Sequence, residues 1–402
     1  MNGAKKKNGK VKSWGQPPAL RIGEENKIDR HATWLELFYD LIFVALIGEI
    51  AHNLNRDVSL SGFLRFIMLF TTIWWSWVSS TLYSTRFDTD DPIHRFLTSI
   101  QMFCIAMLAV NVHNAWGESS ASFAFFYALV RFLNFIEYQP ALHYITIARK
   151  LTAKFVISSG IVGAIWLVSV FVPVPLRYGL WLLALIVDFA TPLLIGQLSA
   201  QFAPHTSHLP ERFGLFIIIV LGESIIGVVN GVVQQQWNVS LILPLACGVS
   251  IAFSLWWIYF DNLGGSAIES ARACSRKLWA YQLWLYMHLL LAIGLTATGV
   301  GIEKTISRVP SLIIPKTERW LICLAVAMCL LSLGVINFTG LIASNQRKRC
   351  KTRIAYRLGS AALIIILAIA GINFSPVELI GFISIVCAAQ IILELRNAIV
   401  SY

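Results

Sequence analysis

Four ionisable residues interrupt the longest apolar stretches of the chain. Glu49, Arg131, Asp188 and Glu223 each lie near the middle of such a stretch. An ionisable side chain in hydrocarbon costs about 2.5–3.5 kcal/mol even on the scales that give the lowest values. Such groups are therefore turned inward, paired with an opposite charge, or in contact with water. Because a carboxylate removed from water binds a proton more readily, these acids predict a proton- or cation-binding pathway.

Glu223 and Arg131 each have a structural alternative. Glu223 follows Gly222, and small residues allow helices to approach closely. We predict that Glu223 binds an ion and that Glu49 is its counterpart. The alternative is a carboxylate that is permanently paired with Arg131 or hydrogen-bonded to neighbours such as Ser224. Arg131 is equally compatible with a structural counter-ion and with a ligand for an anionic substrate, and the transporter hypothesis below takes it as a counter-ion.

Asp188 lies four residues before Pro192. A proline at this spacing removes the hydrogen bond to the Asp188 carbonyl and predicts a kink in the helix. Transporters place ion sites beside broken helices of this kind. A kink that serves packing alone is the alternative.

The first apolar stretch carries polar side chains on two faces. Glu36 and Asp40 are four residues apart, and Glu49 and His52 are three apart, so each pair shares a face. At about 100° per residue, the two faces are nearly opposite. We therefore expect this helix to lie in the centre of the bundle, with neighbours or water on both sides. A position at the rim, with Asp40 reaching toward the interface, is the alternative.

A second group of acids lies at the ends of two other apolar stretches. The segment RFDTDD contains Asp88, Asp90 and Asp91, and the segment WWIYFD ends at Asp261. Asp91 precedes Pro92, which is a favourable start for a helix. This acidic motif is predicted at the cytoplasmic face, where it caps a helix, gates a path or contacts basic loops.

Composition indicates the class of protein that holds these residues. The chain has 402 residues, of which 57% are apolar and 13% charged, and its mean hydropathy is +0.68. Soluble proteins have about 25% charged residues, so a soluble globule and a disordered chain are excluded. Continuous apolar runs of about twenty residues predict transmembrane helices rather than β-barrel strands. The predicted class is all-α and polytopic, with twelve spans at 34–54, 62–84, 93–113, 119–139, 153–173, 177–200, 212–232, 239–260, 278–301, 318–338, 354–372 and 376–397.

The basic residues predict the orientation. With the N-terminus in the cytoplasm, about three quarters of the 32 Lys and Arg residues fall on the inner side, which is a clear positive-inside signal. Both termini are therefore predicted to be cytoplasmic, and residues 1–33 form a basic tail. The net charge of +11 is assigned to orientation and to contact with anionic lipids, with no nucleic-acid partner. No cofactor or metal motif is found, and the stretch 262–277 is predicted to be a polar loop or an interfacial helix.

The chain carries signs of an internal repeat. Glu49 and Glu223 occur in similar Gly-Glu motifs 174 residues apart, and Asp88 and Asp261 end Trp-Trp-bearing spans 173 residues apart. Two matches in the same order at nearly the same offset predict two six-helix membrane repeats, 34–200 and 201–402. Six spans is an even number, so the repeats would be parallel. Chance similarity between apolar helices is the alternative.

Three segments resemble one known family. They are RHATWLELFYDLIFVALIGEIAHNL at 30–54, RFDTDD at 86–91 and ERFGLFIIIVLGESIIGVV at 211–229, and WWIYFD at 256–261 supports them. The chain is similar, over nearly its whole length, to the bacterial low temperature requirement protein A (LtrA) family. This resemblance implies an integral protein of the cell membrane with a role in growth at low temperature, and it implies no substrate or reaction. The matching motif positions are Glu36, Asp40, Asp88, Asp90, Asp91, Glu211, Arg212, Glu223 and Asp261, with Glu49 and His52 in the same region.

Three functions are compatible with these features. The first is a secondary transporter or proton-translocating protein for a small ion or small molecule, with Glu36, Asp40, Glu49, His52, Arg131, Asp188 and Glu223 along its path. The second is a membrane-embedded enzyme on a lipid substrate, which would need the acids of 36–40 and 86–91 close enough to share a metal. The third is a non-catalytic membrane sensor or assembly factor, in which all charges are paired and no cavity exists. Assembly into a homo-oligomer is left open.

Overall fold

The computed structural model describes residues 17–21, 31–88, 91–202, 204–235, 237–261, 266–273, 277–309, 312–341 and 347–400. This part of the chain is almost entirely helical. Its one sheet is a two-residue pair of antiparallel strands, β1 and β2. The helices and strands are β1 Ala19–Leu20, α1 Trp34–Arg56, α2 Leu60–Arg86, β2 Phe87–Asp88, α3 Pro92–Val112, α4 Ser120–Tyr144, α5 Arg149–Phe171, α6 Leu176–Gln201, α7 His208–Val233, α8 Ile242–Phe260, α9 Ser266–Ala273, α10 Leu278–Ile306, α11 Lys316–Leu341, α12 Arg347–Ala370 and α13 Pro376–Val400.

Every predicted span coincides with one long helix, and the stretch 262–277 contains the short helix α9. Within the described ranges, nine helices are long and apolar enough to cross a membrane. The remaining long helices are α1, α2 and α4. The all-α membrane fold therefore agrees with the prediction, while the count of twelve spans stays a prediction. We call the side of the bundle on which α1 begins the inner side, and the side on which it ends the outer side.

Polar residues define the starts of two helices that carry site residues. The Thr33 side chain accepts from the Glu36 backbone N–H, and the Glu36 carboxylate accepts from the Thr33 N–H, which forms a capping box at α1. The Asp91 side chain accepts from the His94 N–H at 2.7 Å, with Pro92 at the first helical position of α3. Asp91 is thus a helix cap, as its sequence context indicates.

The central helix of the bundle is α10, and α1 is less enclosed than expected. Most of α10 is buried, and it packs against α1, α7 and α11, among others. Helix α1 packs against α2, α3, α7 and α10, but Phe38 and Leu41 on its opposite side are 57% and 58% exposed. The expectation that neighbours or water surround both faces of α1 is therefore wrong for its first half, where one face is free to contact lipid.

Helix α6 bends later than its proline predicts. The non-helical torsions occur at Gly196 rather than between Asp188 and Pro192. Around the proline, side chains of α10 bind carbonyls of α6. The Tyr286 hydroxyl donates to the Phe189 carbonyl at 2.8 Å, and the Gln282 amide donates to the Pro192 carbonyl at 3.1 Å. External donors thus stabilise this segment while it stays helical.

Candidate functional site

The predicted pathway residues fall into three separate groups. Glu36 and Asp40 lie in a charged cluster near the inner ends of α1 and α7. Arg131 and Asp188 form a pair between α4 and α6. Glu49, His52 and Glu223 line one pocket in the outer half of the bundle. The structure therefore brings three of the seven residues into one cavity.

The inner cluster joins α1, α2 and α7 through Asp40. An Arg212 Nη2 donates to Asp40 Oδ1 at 2.7 Å, and the Trp77 indole N–H donates to the same oxygen at 2.8 Å. Arg212 also lies 3.5 Å from a Glu36 oxygen, and His208 lies 3.6 Å from the other. Asp40, Arg212 and His208 are buried. Because each acid has a cationic neighbour, the cluster holds α1 and α7 together at this end.

Arg131 and Asp188 compensate each other. Arg131 Nη2 lies 2.6 Å from Asp188 Oδ1, and Nη1 donates to the Ser79 hydroxyl at 2.9 Å. Both charged side chains are buried, and the adjoining cavity is only about 20 Å³ in volume. Arg131 is thus the counter-ion of Asp188, and the alternative in which it pairs with Glu223 does not occur.

The third group surrounds a cavity of about 330 Å³, which we call the outer pocket. Glu223 extends into it from the middle of α7 and is 8% exposed. Within the described ranges, no ion pair or hydrogen bond joins its carboxylate to another residue. A Cβ placed at Gly48 would lie 3.3 Å from Glu223 Oε1, so the glycine leaves room for the carboxylate. The lining residues are Gly48, Glu49, Ala51, His52, Asn55, His113, Glu223, Ile226, Gly227, Asn230, Gly299, Val300 and Glu303.

The mouth of the outer pocket carries two more acids and two histidines. The Glu49 side chain is 48% exposed and lies 3.9 Å from His113 Nδ1. The rings of His52 and His113 stack with their centroids 5.9 Å apart. Glu303 accepts a hydrogen bond from the Gln234 amide at 2.9 Å. The pocket therefore has an exposed polar rim at its mouth and the buried carboxylate of Glu223 at its inner end.

Sequence reasoning missed several members of these groups. Arg212 is a motif position to which the sequence assigns no role, because its distance along the chain from Asp40 hides their contact. Glu303 and His113 lie at the ends of predicted spans, where a polar residue is ordinary. Outside these three groups, Glu137 is buried in α4 and accepts from the Gln101 amide at 3.1 Å. Its position in an apolar stretch is a signal that could have found it.

The acidic motif does not form one site in the described part of the chain. Asp91 caps α3, and Asp261 lies 2.6 Å from Arg353 of α12. Asp88 pairs through its backbone with Ala19, while the Asp88 side chain and all of Asp90 lie outside the described residues. Among the described residues, no group of three or more His, Cys, Asp or Glu is arranged to hold a metal ion.

Comparison with known proteins places the chain in a family. The chain is 28% identical over 296 residues to an uncharacterized protein of Rhizobium meliloti (strain 1021), covering 70% of this chain and 71% of that protein. No solved structure matches it. The family model described as bacterial low temperature requirement A protein (LtrA) matches residues 31–395. This match spans nearly the whole chain, and the protein therefore belongs to the LtrA family.

Proposed function

We propose that the protein is a secondary transporter of the cell membrane that couples solute movement to proton binding at Glu223. The supporting observation is the environment of this carboxylate. Glu223 is buried, lies in the middle of α7, faces a cavity of about 330 Å³ and has no cationic partner in the described part of the chain. An unpaired carboxylate in this position is costly unless it binds a proton or a cation.

The other buried acids of the predicted pathway differ from Glu223 in one respect. Asp40 is paired with Arg212, and Asp188 is paired with Arg131. The charged neighbours of Glu223 in the outer pocket are Glu49 and Glu303. Three carboxylates around one cavity repel one another unless protons or cations bind among them. Glu223 is therefore our candidate for the coupling residue, and Asp40 and Asp188 are assigned structural or gating roles.

The arrangement of α1 and α7 suits alternating access. The outer pocket separates their outer halves, while Asp40, Glu36, Arg212 and His208 join their inner halves. A transporter needs one end of its pathway closed while the other is open. We propose that the inner cluster is the closed gate and that both termini are cytoplasmic, so the outer pocket opens away from the cytoplasm.

The packing order of the helices supports a six-plus-six repeat as part of this proposal. In the first half, α1 packs on α3, α3 on α4, α4 on α5 and α5 on α6. In the second half, α7 packs on α10, α10 on α11, α11 on α12 and α12 on α13. With the short α9 set aside, the two orders correspond. Glu49 and Glu223 then occupy matching helices, α1 and α7, at one pocket.

The alternative functions have less support. A sensor without a transport pathway would have all its intramembrane charges paired and no cavity, whereas Glu223 faces a pocket. An enzyme that uses a metal at the inner face would need the acids of 36–40 and 86–91 together, whereas Asp40 lies 2.7 Å from Arg212 and the Asp91 side chain caps α3. The lipid bilayer is the surrounding partner in each case, and the transported solute is a small ion or molecule.

Proton coupling at Glu223 can be tested in proteoliposomes. The full chain is reconstituted with a pH-sensitive dye in the lumen, and small anions, cations and neutral solutes are added outside one class at a time. For the wild type, we expect at least one class to drive proton movement. Glu223→Gln should abolish this movement, because the amide cannot bind a proton at neutral pH. A flux in Glu223→Gln equal to that of the wild type would remove Glu223 from the coupling role.

A matched variant separates coupling from general damage to the pocket. Glu303 lies on the rim of the same cavity and its carboxylate accepts from the Gln234 amide. Glu303→Gln should retain proton movement and should reduce it less than Glu223→Gln does, because Glu303 is a neighbour of the proposed proton site and not the site itself. Labelling with a hydrophobic carbodiimide, which reacts with protonated carboxyl groups, gives a second readout that needs no solute. We expect label on Glu223 that decreases as the pH rises.

The gating role of the inner cluster leads to a separate prediction. Asp40→Asn weakens the contact with Arg212, so the inner end should open more often. Ser80 is half-buried in α2, three residues after Trp77 of the inner cluster, so a cysteine introduced there should then react faster with a membrane-impermeant thiol reagent applied from the inner side. The charge exchange Asp40→Arg with Arg212→Asp should return the reaction rate toward that of the Ser80 variant alone. Equal rates in all three proteins would argue against a gate.

A further inference from the structure

A second cavity lies beside the outer pocket and has the opposite charge character. It has a volume of about 470 Å³ and lies between the α1–α2 connection and the α3–α4 connection. We call it the cationic pocket, because Arg56 and Arg65 line it and Asp57 is the one acid among its described lining residues. The other lining residues are Ile50, Asn53, Leu54, Gly62, Phe66, Leu69, His113, Asn114 and Trp116.

The one acid of this pocket is held by its own turn. Asp57 Oδ1 accepts from the Ser59 N–H at 3.1 Å, and hydrogen bonds from Ser59 lower the pKa of Asp57 below its ordinary value. Asp57 is therefore a carboxylate at neutral pH. Since its single negative charge stands against two guanidinium groups, the pocket keeps a net positive charge.

The cationic pocket and the outer pocket are joined through His113, which lines both. Arg56 Nη1 lies 2.6 Å from His113 Nε2. A guanidinium group can only donate, so Nε2 accepts and a neutral His113 carries its proton on Nδ1. That nitrogen faces Glu49 Oε2 at 3.9 Å. Arg56 is thus linked through His113 to Glu49 at the rim of the outer pocket.

The predicted orientation of the chain places Arg56 and Arg65 on the side that has fewer basic residues. Most basic residues of the chain are predicted on the inner side, where they contact anionic lipids. Arg56 and Arg65 are predicted on the outer side, and both line one cavity beside the proposed proton site. A topology signal therefore does not explain them, and their shared cavity is the feature on which the following proposal is based.

We propose that the cationic pocket is a binding subsite for a small oxyanion, a carboxylate or a phosphate, that is transported together with a proton. The planar fork of arginine matches the two oxygens of such groups. Asn114, which lines the cavity from the α3–α4 connection, carries a side-chain amide that can donate. This inference rests on the proposed transport function and names its substrate class, because a proton bound at Glu223 offsets the negative charge of the solute in the membrane.

The subsite is tested by equilibrium binding to the full chain in detergent. Inorganic phosphate and acetate are titrated separately by calorimetry at constant ionic strength, which distinguishes the two oxyanion classes. We expect one of them to bind at one site per chain. Arg65→Gln should weaken this binding at least tenfold. Lys316→Gln is the matched control, since it removes a positive charge from the same predicted face at an exposed position outside the pocket, and it should bind as the wild type does.

A second variant and a second readout keep the two proposals apart. Arg56→Gln should also weaken anion binding. If both variants bind the anion more weakly, the loss is not caused by a folding defect of one variant. Glu223→Gln should retain anion binding while it loses proton movement. If neither anion binds, or if both arginine variants bind like the wild type, the subsite is wrong while the transport proposal stands. If Glu223→Gln keeps its proton flux, proton coupling at Glu223 fails, and the binding data decide on the subsite separately.

Discussion

Arg131→Met is expected to destabilise the protein by about 3–5 kcal/mol, because it leaves Asp188 buried without a counter-ion. The arginine lies 2.6 Å from the Asp188 carboxylate, and both side chains are buried between α4 and α6. Methionine has a similar length and fills the space without a charge. The free energy of unfolding, measured by denaturant titration in mixed micelles, gives the loss directly.

The double variant Arg131→Met with Asp188→Leu distinguishes a lost pair from lost packing. When both charges are removed together, no unpaired charge remains, so most of the stability should return. Lys316→Gln, at an exposed position, should change stability by no more than about 0.5 kcal/mol. A double variant as unstable as Arg131→Met alone would mean that packing, and not the ion pair, determines the cost.

Gly227→Ala is expected to cost about 1–3 kcal/mol through overpacking, the second largest loss of stability. A Cβ at Gly227 would lie 2.3 Å from the Gly299 carbonyl oxygen, which is a backbone atom that cannot turn aside. Helices α7 and α10 would have to separate beside the outer pocket. The same micelle titration measures the loss, and proton flux in proteoliposomes should fall with it.

Gly222 provides the matched control for this prediction. It lies in the same helix, and among the described residues nothing beyond its two chain neighbours and the nearby backbone of α7 comes within 4 Å of a Cβ placed there. Gly222→Ala should therefore be neutral or slightly stabilising, since alanine favours the helix more than glycine does. If the two glycine variants lose the same stability, the close approach of α7 and α10 is not the cause.

The sequence predicts where the helices lie, but it does not predict which helices contact each other. Continuous apolar runs predict helices because a bilayer requires each backbone group to be bonded within its own segment, so the predicted spans coincide with helices. The partner of Arg131 depends instead on which helices are neighbours. Asp188 of α6 is that partner, and no local pattern in the sequence distinguishes it from Glu223.

The same limit applies to the centre of the bundle. Charges on two faces of α1 predict a central helix, yet α10 holds that position and α1 exposes Phe38 and Leu41. That prediction allows neighbours or water at each polar face, but it places both faces inside the bundle. Asp40 does find one in Arg212, whereas Glu49 lies at the exposed rim of a pocket. A helix at the edge of a cavity can bury one polar face against its neighbours and expose another polar face to water.

The seam between α6 and α10 limits how the two proposed halves can move. Tyr286 and Gln282 of the second half donate to carbonyls of the first half beside Pro192. If these helices parted within the bilayer, the Tyr286 hydroxyl and the Gln282 amide would lose acceptors that lipid cannot replace, at a cost of several kcal/mol for each unsatisfied group. A rocking motion that opens and closes the space between α1 and α7 would therefore use this seam as its pivot, and the two halves would turn about it without separating there.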